Sequence, residues 1–212
     1  MKFFTIIKDK SERVPDKNFI ILNGKPLWVH LLDKLKDEEV FVDTDSPRVL
    51  ASCKRAYRRL PEHIKLETDN TFGVSPVLLM INRFLDKYVT DENEVIVTPH
   101  VTSPFIKLST IKDAARRLDE GYDSVQACTA HKEFAYFENK PVNFDPNVVQ
   151  KTQDLKPIML GNGAFFIFTK KTFKQHNNRI GSNSCFYQLN HKEGIEIDTP
   201  EDLEIAKRWI DD

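Results

Sequence analysis

Short apolar runs alternate along the chain with stretches in which apolar residues recur every three or four positions. Phe3-Phe4-Thr5-Ile6-Ile7 reads as a buried first strand. Residues 26–35 read as a helix, with Leu27, His30, Leu31 and Leu35 along one face. A second strand is expected over 40–43. Asp45-Ser46-Pro47 then opens a helix, a capping residue standing before proline at the first helical position. Residues 64–66 suggest a third strand, 76–88 a helix, 95–98 a strand, and 109–120 a helix closed by Gly121. Strands follow over 124–129, 163–168 and 195–197. Thr199-Pro200-Glu201-Asp202 opens a last helix, with a cap, a proline and acids in the first turn. The β-α-β-α order predicts an α/β fold: a doubly wound, mainly parallel, Rossmann-like sheet with helices on both faces.

The rhythm breaks between residues 131 and 160. This stretch holds Phe134, Tyr136, Phe137 and the prolines Pro141, Pro146 and Pro157, without a long helical pattern. It reads as an excursion of short strands or extended arms, and a loop this long inside one domain is usually functional. There is no internal repeat, so residues 1–212 are expected to form a single domain carrying that excursion.

Composition narrows the classes. A net charge of −1 argues against a nucleic-acid binder, which carries a basic excess. The basic cluster Lys54, Arg55, Arg58, Arg59 is at helical spacing and reads as a solvated face. Three widely spaced cysteines, Cys53, Cys128 and Cys185, predict reduced thiols and a cytoplasmic setting rather than a disulfide framework. No apolar run approaches the ~18 residues of a membrane helix. Lys8 and Asp9 interrupt the first apolar run too early for a secretory signal.

The chemistry-bearing residues lie where strands end. After the first strand come Lys8, Lys10, Arg13 and Lys17, cations able to neutralise a polyphosphate, with Ser11 and Asn18 as hydrogen-bonding partners. Asp9, Glu12 and Asp16 among them leave open a mixed-charge surface loop. Near the C-terminus, Glu196 and Asp198 would share a strand face and suit a divalent cation; Asp198 could instead only help cap the last helix. Between these, Thr98-Pro99-His100-Val101-Thr102-Ser103-Pro104 follows a buried strand, and Gly161-Asn162-Gly163-Ala164 leads into another.

In this order the segments resemble the cytidylyltransferases that activate acidic sugars, best known from the CMP-N-acetylneuraminate synthetases. That family's loop reads Ala-Arg-x-x-Ser-Lys-Gly-x-Pro-x-Lys-Asn. Ser11, Pro15, Lys17 and Asn18 match it, Lys8 replaces the arginine, and Glu12 stands at a usually basic position beside Arg13. The resemblance implies nucleotide contacts by Lys8, Ser11, Arg13, Lys17 and Asn18, by Asp45 of Asp43-Thr44-Asp45-Ser46, and by Ser75, which closes a stretch beginning Asp69-Asn70-Thr71. It implies sugar contacts by His100 (a glutamine position), Thr102, Ser103 and Asn162, and by Lys151 and Gln153 on an arm that reaches across a dimer. It implies Mg2+ on Asp198 and Glu196, catalytic roles for Lys17 and Asp198, and a homodimer built by residues 131–160. CTP and an acidic, sialic-acid-like sugar would then be the substrates. A Kdo-type 2-keto sugar acid and a non-catalytic nucleotide binder stay open as alternatives.

Overall fold

The computed structural model describes residues 1–56 and 76–210. The strand expected over 64–66, the stretch from Asp69 to Ser75, and the side chains of the basic cluster at 54–59 lie outside the described residues.

The strands are β1 (Lys2–Ile7), the short pair β2 (Ile21–Leu22) and β3 (Lys25–Pro26), β4 (Val40–Thr44), β5 (Val95–Pro99) and β6 (Ser124–His131). There follow the short pair β7 (Tyr136–Phe137) and β8 (Lys140–Pro141), then β9 (Ile158–Thr169) and β10 (Ser184–Gln188). The helices are α1 (Leu27–Lys34), α2 (Pro47–Ala56), α3 (Pro76–Tyr88), α4 (Leu108–Ala115), α5 (Lys170–His176) and α6 (Pro200–Ile210). Six strands form the central sheet in the order β10-β6-β9-β5-β1-β4. Five run the same way and β9 runs against them.

Strand alternation divides the core between two faces. Phe3 and Ile7 of β1, with Phe165 and Ile167 of β9, pack against Trp28, Leu31 and Leu32 of α1 and Ile111 of α4. Phe4, Phe166 and Phe168 turn the other way, onto Met80, Ile81 and Phe84 of α3 and Phe173 of α5. Phe4 stacks on Phe84 with ring centroids 4.6 Å apart. Helices on both faces make the sheet doubly wound, as the alternating pattern predicts. The Ser46 cap ahead of Pro47 is also present, its Oγ accepting from Val49 N at 3.4 Å.

Two expectations are corrected. Residues 195–197 are not a strand; they form an irregular segment tied to the loop after β5, with Ile197 N donating to Thr102 O at 2.8 Å. Ile197 looked strand-like because it is fully buried, in a small cluster with Leu22, Leu27 and Ala206. The strand on that side of the chain is β10, parallel to β6 at the sheet's edge. Its apolar run is only Cys185-Phe186-Tyr187 between two polar residues, and as an edge strand it is half-covered.

The reversal of β9 explains the excursion. Antiparallel neighbours need no crossover helix. His131 pairs with Ile158, so β6 and β9 form two long arms and residues 132–157 are their projecting tip. Asn143 ties this tip together, accepting from Ala135 N and donating to Glu133 O and Lys156 O. Phe144 packs edge-on against Phe134 and Tyr136.

Asp43 of β4 is fully buried, and neither carboxylate oxygen has a hydrogen-bond partner. Burial pushes its pKa up to about 7, against the pull of Arg83 and with a further push from Asp45. A carboxyl raised in the folded state binds its proton more tightly there than in the unfolded chain. Its contribution to stability is therefore full below about pH 4 and is lost as pH rises to about 7. Asp43→Asn should match the wild type in urea at about pH 3.5 and exceed it at pH 8 by roughly 2–4 kcal/mol. An equal gain at both pH values would refute the charged-state penalty.

Candidate active site

The loop after β1 is folded by its acids. Asp9 accepts from Ser46 Oγ at 2.5 Å and from Arg48 at 3.2 Å, and its backbone N donates to Asp45 Oδ1 at 2.7 Å. Asp16, in the left-handed region at φ 50°, also pairs with Arg48, whose guanidinium lies 3.6 Å from the Phe19 ring centre. The Ser46 bond leads in holding the Asp9 carboxyl below the usual range. Two of the three acids that made this a mixed-charge loop, Asp9 and Asp16, are thus engaged by Ser46 and Arg48, while Glu12 stays at the cavity. Lys8, Lys10, Ser11, Glu12, Arg13, Lys17 and Asn18 line a cavity of about 790 Å³ at the carboxyl ends of β1 and β5, the end of a parallel sheet where ligands bind. Asn18 Nδ2 donates to Lys8 O at 2.8 Å and closes the loop.

Asp198 faces this loop. Its Oδ1 takes Arg13 Nη2 at 2.8 Å and Lys17 Nζ at 2.9 Å. Lys17 is nearly buried, 9% exposed, and donates also to Ile197 O at 2.9 Å. Burial would raise the Asp198 pKa, but the hydrogen bond and charge of Lys17, joined by Arg13, hold it below the usual carboxylate range. The backbone is set by the cap of α6: Asp202 Oδ2 accepts from Asp198 N at 3.0 Å and Thr199 N at 2.8 Å, and Asp202 N donates to Thr199 Oγ1. Capping is thus done by Thr199 and Asp202, and the Asp198 side chain is turned to the cations.

Glu196 lines the same cavity. Its Oε1 accepts from Thr102 Oγ1 at 3.1 Å and lies 3.3 Å from His100 Nδ1. Gly163 makes room for it: at φ +73°, a Cβ there would stand 2.9 Å from Glu196 Oε2. The Thr-Ser-Pro loop is held by Lys34, which donates to Pro104 O and, at 2.8 Å, to Ile106 O. Burial of that ammonium lowers its pKa to about 8.

The expected site residues divide. Lys8, Ser11, Arg13, Lys17, Asn18, His100, Thr102, Asn162, Glu196 and Asp198 share the cavity wall. Asn162 also braces the strand, accepting from Ala164 N at 3.2 Å and donating to Gly194 O at 3.4 Å. Ser103 is fully buried with an unpartnered Oγ and lies off the cavity wall. Asp45 is exposed and bonded to the loop backbone rather than turned into the cavity. Lys151 and Gln153 are exposed on the projecting tip, away from this chain's own cavity. Ser75 lies outside the described residues. Sequence reasoning missed Gln126, Phe166 and Arg179, which also line the cavity. Gly161 clears space for Gln126, whose Nε2 stands 2.2 Å from where a Cβ would be. Arg179 follows Asn177-Asn178 in a polar turn, and no pattern in the chain marks it.

The donor set suits a hard divalent cation. Asp198 and Glu196 each use one carboxylate oxygen and keep the other without a hydrogen-bond partner among the described residues. No group of three or more His, Cys, Asp or Glu that could hold a metal exists among those residues. The remaining ligands would have to be phosphate oxygens and water, the usual surroundings of Mg2+.

A cavity of this size at the carboxyl end of a doubly wound sheet, cationic on one wall and acidic on another, stands where open α/β sheets bind their ligands. The family description Cytidylyltransferase matches residues 9–209, and the chain belongs to that family. It is 28% identical over 208 residues to an N-acylneuraminate cytidylyltransferase of Streptococcus agalactiae serotype III (strain NEM316), covering 91% of this chain and 49% of that protein. The chain thus spans about half the length of such relatives. It is 26% identical to the CMP-N,N'-diacetyllegionaminic acid synthase of Legionella pneumophila (strain Philadelphia 1), covering 95% of this chain and 92% of the relative. In fold it is similar to a CMP:2-keto-3-deoxy-manno-octonic acid synthetase complexed with CTP. The TM-score is 0.69 at 15% identity, covering 99% of this chain and 97% of the other.

Proposed function

We propose that this protein transfers CMP from CTP to the anomeric hydroxyl of an acidic, sialic-acid-like sugar and releases pyrophosphate. The observation that carries the reading is Asp198 held between Lys17 and Arg13 at one wall of the cavity that Glu196 also lines. Phosphoryl-transfer chemistry of this kind depends on positioning and charge neutralisation. Lys17, Arg13 and Lys8 neutralise the triphosphate, and Ser11 and Asn18 hydrogen-bond to it. Asp198 and Glu196 would hold Mg2+, which supplies charge stabilisation at the phosphate oxygens and lowers the pKa of the attacking hydroxyl. Thr102, His100 and Asn162 orient the sugar. The named activities of the relatives support this reading.

Pyrophosphate release should be seen with CTP and not with ATP, GTP or UTP when nonulosonates and Kdo-type acids are offered. It should vanish in EDTA and return with magnesium. Release from CTP that persists in EDTA would refute the metal assignment, and no release with any acid would refute the transferase reading.

The projecting tip supports a two-fold dimer, and the three free cysteines support a cytoplasmic setting. Tyr136 is 64% and Phe137 70% exposed, and Val148 and Val149 of the same segment are exposed too. Such apolar surface at the end of two long strands suits an interface between copies. Light scattering should give twice the 24.6 kDa chain mass; a monomer at high concentration would contradict it.

A further inference from the structure

Arg179 is a cation in the cavity wall with no function in the loop or metal arrangements. It lies on the segment after α5. Its guanidinium carbon is 3.8 Å from the Phe166 ring centre, so the aromatic face fixes the plane of the fork. Nη1 lies 3.4 Å from His100 Nε2. No carboxylate among the described residues stands within ion-pair distance. Glu196 is the nearby negative charge, but its hydrogen bonds go to Thr102 and His100. Burial lowers the Arg179 pKa to about 10, and Glu196 offsets only part of that. A desolvated, planar, oriented cation facing a ligand cavity without a close counter-charge is a seat for an anion.

The position of that seat identifies which anion. The triphosphate cations are Lys17 and Arg13, at Asp198. Arg179 instead sits by Glu196 and His100. In the ring form of a 2-keto sugar acid, one carbon bears both the attacking hydroxyl and the carboxylate. A site that handles the hydroxyl at Glu196 must therefore receive the carboxylate beside Glu196, where Arg179 stands.

We infer that Arg179 binds the carboxylate of the acidic sugar and sets the requirement for an acid, an assignment that rests on the reading under Proposed function. The hydrophobic stem and Phe166 shield the pair from water, and the fork offers two parallel N–H donors to the two oxygens.

The test compares wild type, Arg179→Met and Arg179→Lys with N-acetylneuraminate and with Kdo, each as free acid and as C1 methyl ester. In the wild type the acid should be strongly preferred over its ester. Arg179→Met should raise KM for the acid by ~10- to 100-fold and bring acid and ester to near parity. KM for CTP should stay within about twofold, which also reports an intact fold. Arg179→Lys should fall between, since it keeps the charge and loses the fork. An unchanged KM for the acid, or the same acid-to-ester ratio in wild type and Arg179→Met, overturns the assignment while leaving the transferase reading standing. A wild type that releases no pyrophosphate with either acid overturns both.

Discussion

Asp198→Asn should lower turnover by ~10²- to 10³-fold, the range seen when a preorganised electrostatic group is removed from a reacting centre, while the chain stays folded. The geometry demands both halves of that outcome. Asp198 Oδ1 is the meeting point of Arg13 and Lys17, and a neutral amide neither balances two cations nor ligates a hard divalent ion well. The backbone, however, is fixed by Asp202 and Thr199, which the substitution leaves in place. Pyrophosphate release at saturating CTP and magnesium, together with a thermal melt, tests the pair of expectations. Turnover within about threefold of wild type would remove Asp198 from the chemistry. Glu196→Gln should be milder, because Thr102 and His100 still hold the side chain and water can replace one ligand.

Lys17→Met should cost both activity and stability, and Arg13→Ala mainly activity. Lys17 is nearly buried and joins the loop to Ile197 O and Asp198 at 2.9 Å each. Methionine keeps the stem but leaves that carbonyl without its donor, at about 1–3 kcal/mol of stability. It also removes a phosphate-facing charge, for ~10- to 100-fold in kcat/KM. Arg13 is two-thirds exposed, so its ion pair adds within about 0.5 kcal/mol to folding. Urea midpoints and CTP kinetics on the two variants separate these roles. Equal stability losses would show that the loop does not depend on the buried ammonium.

Much of the site was legible because it sits where strands stop. Lys17 and Asn18, Thr102 and Asp198 come after apolar runs that the pattern marks as strands, and the carboxyl ends of parallel strands collect at one edge; Asn162 instead precedes the run of the antiparallel β9. What the pattern misread were segments whose burial is not that of a central strand. Residues 195–197 carry a buried isoleucine without pairing into the sheet, and β10 pairs with an apolar run of only three residues. The mixed charges of the loop also misled. Only the fold shows that Asp9 and Asp16 are engaged by Ser46 and Arg48, far along the chain, which leaves the cations to face the cavity.

The order of elements, the helix caps at Ser46 and Thr199 and the two faces of the sheet follow from periodicity and local hydrogen bonding, which are properties of neighbouring residues. The family follows from motifs in order along the chain. Tertiary structure alone decided the rest, because it depends on which distant residues meet. The reversal of β9 turned residues 132–157 into a projecting tip, since an antiparallel neighbour needs no helix to return the chain. It also brought Gly163 against Glu196 and Gly161 against Gln126. Arg179, on the segment after α5, lies at the cavity with the ring of Phe166 of β9 as its platform. A contact between segments far apart in sequence leaves no period in either of them.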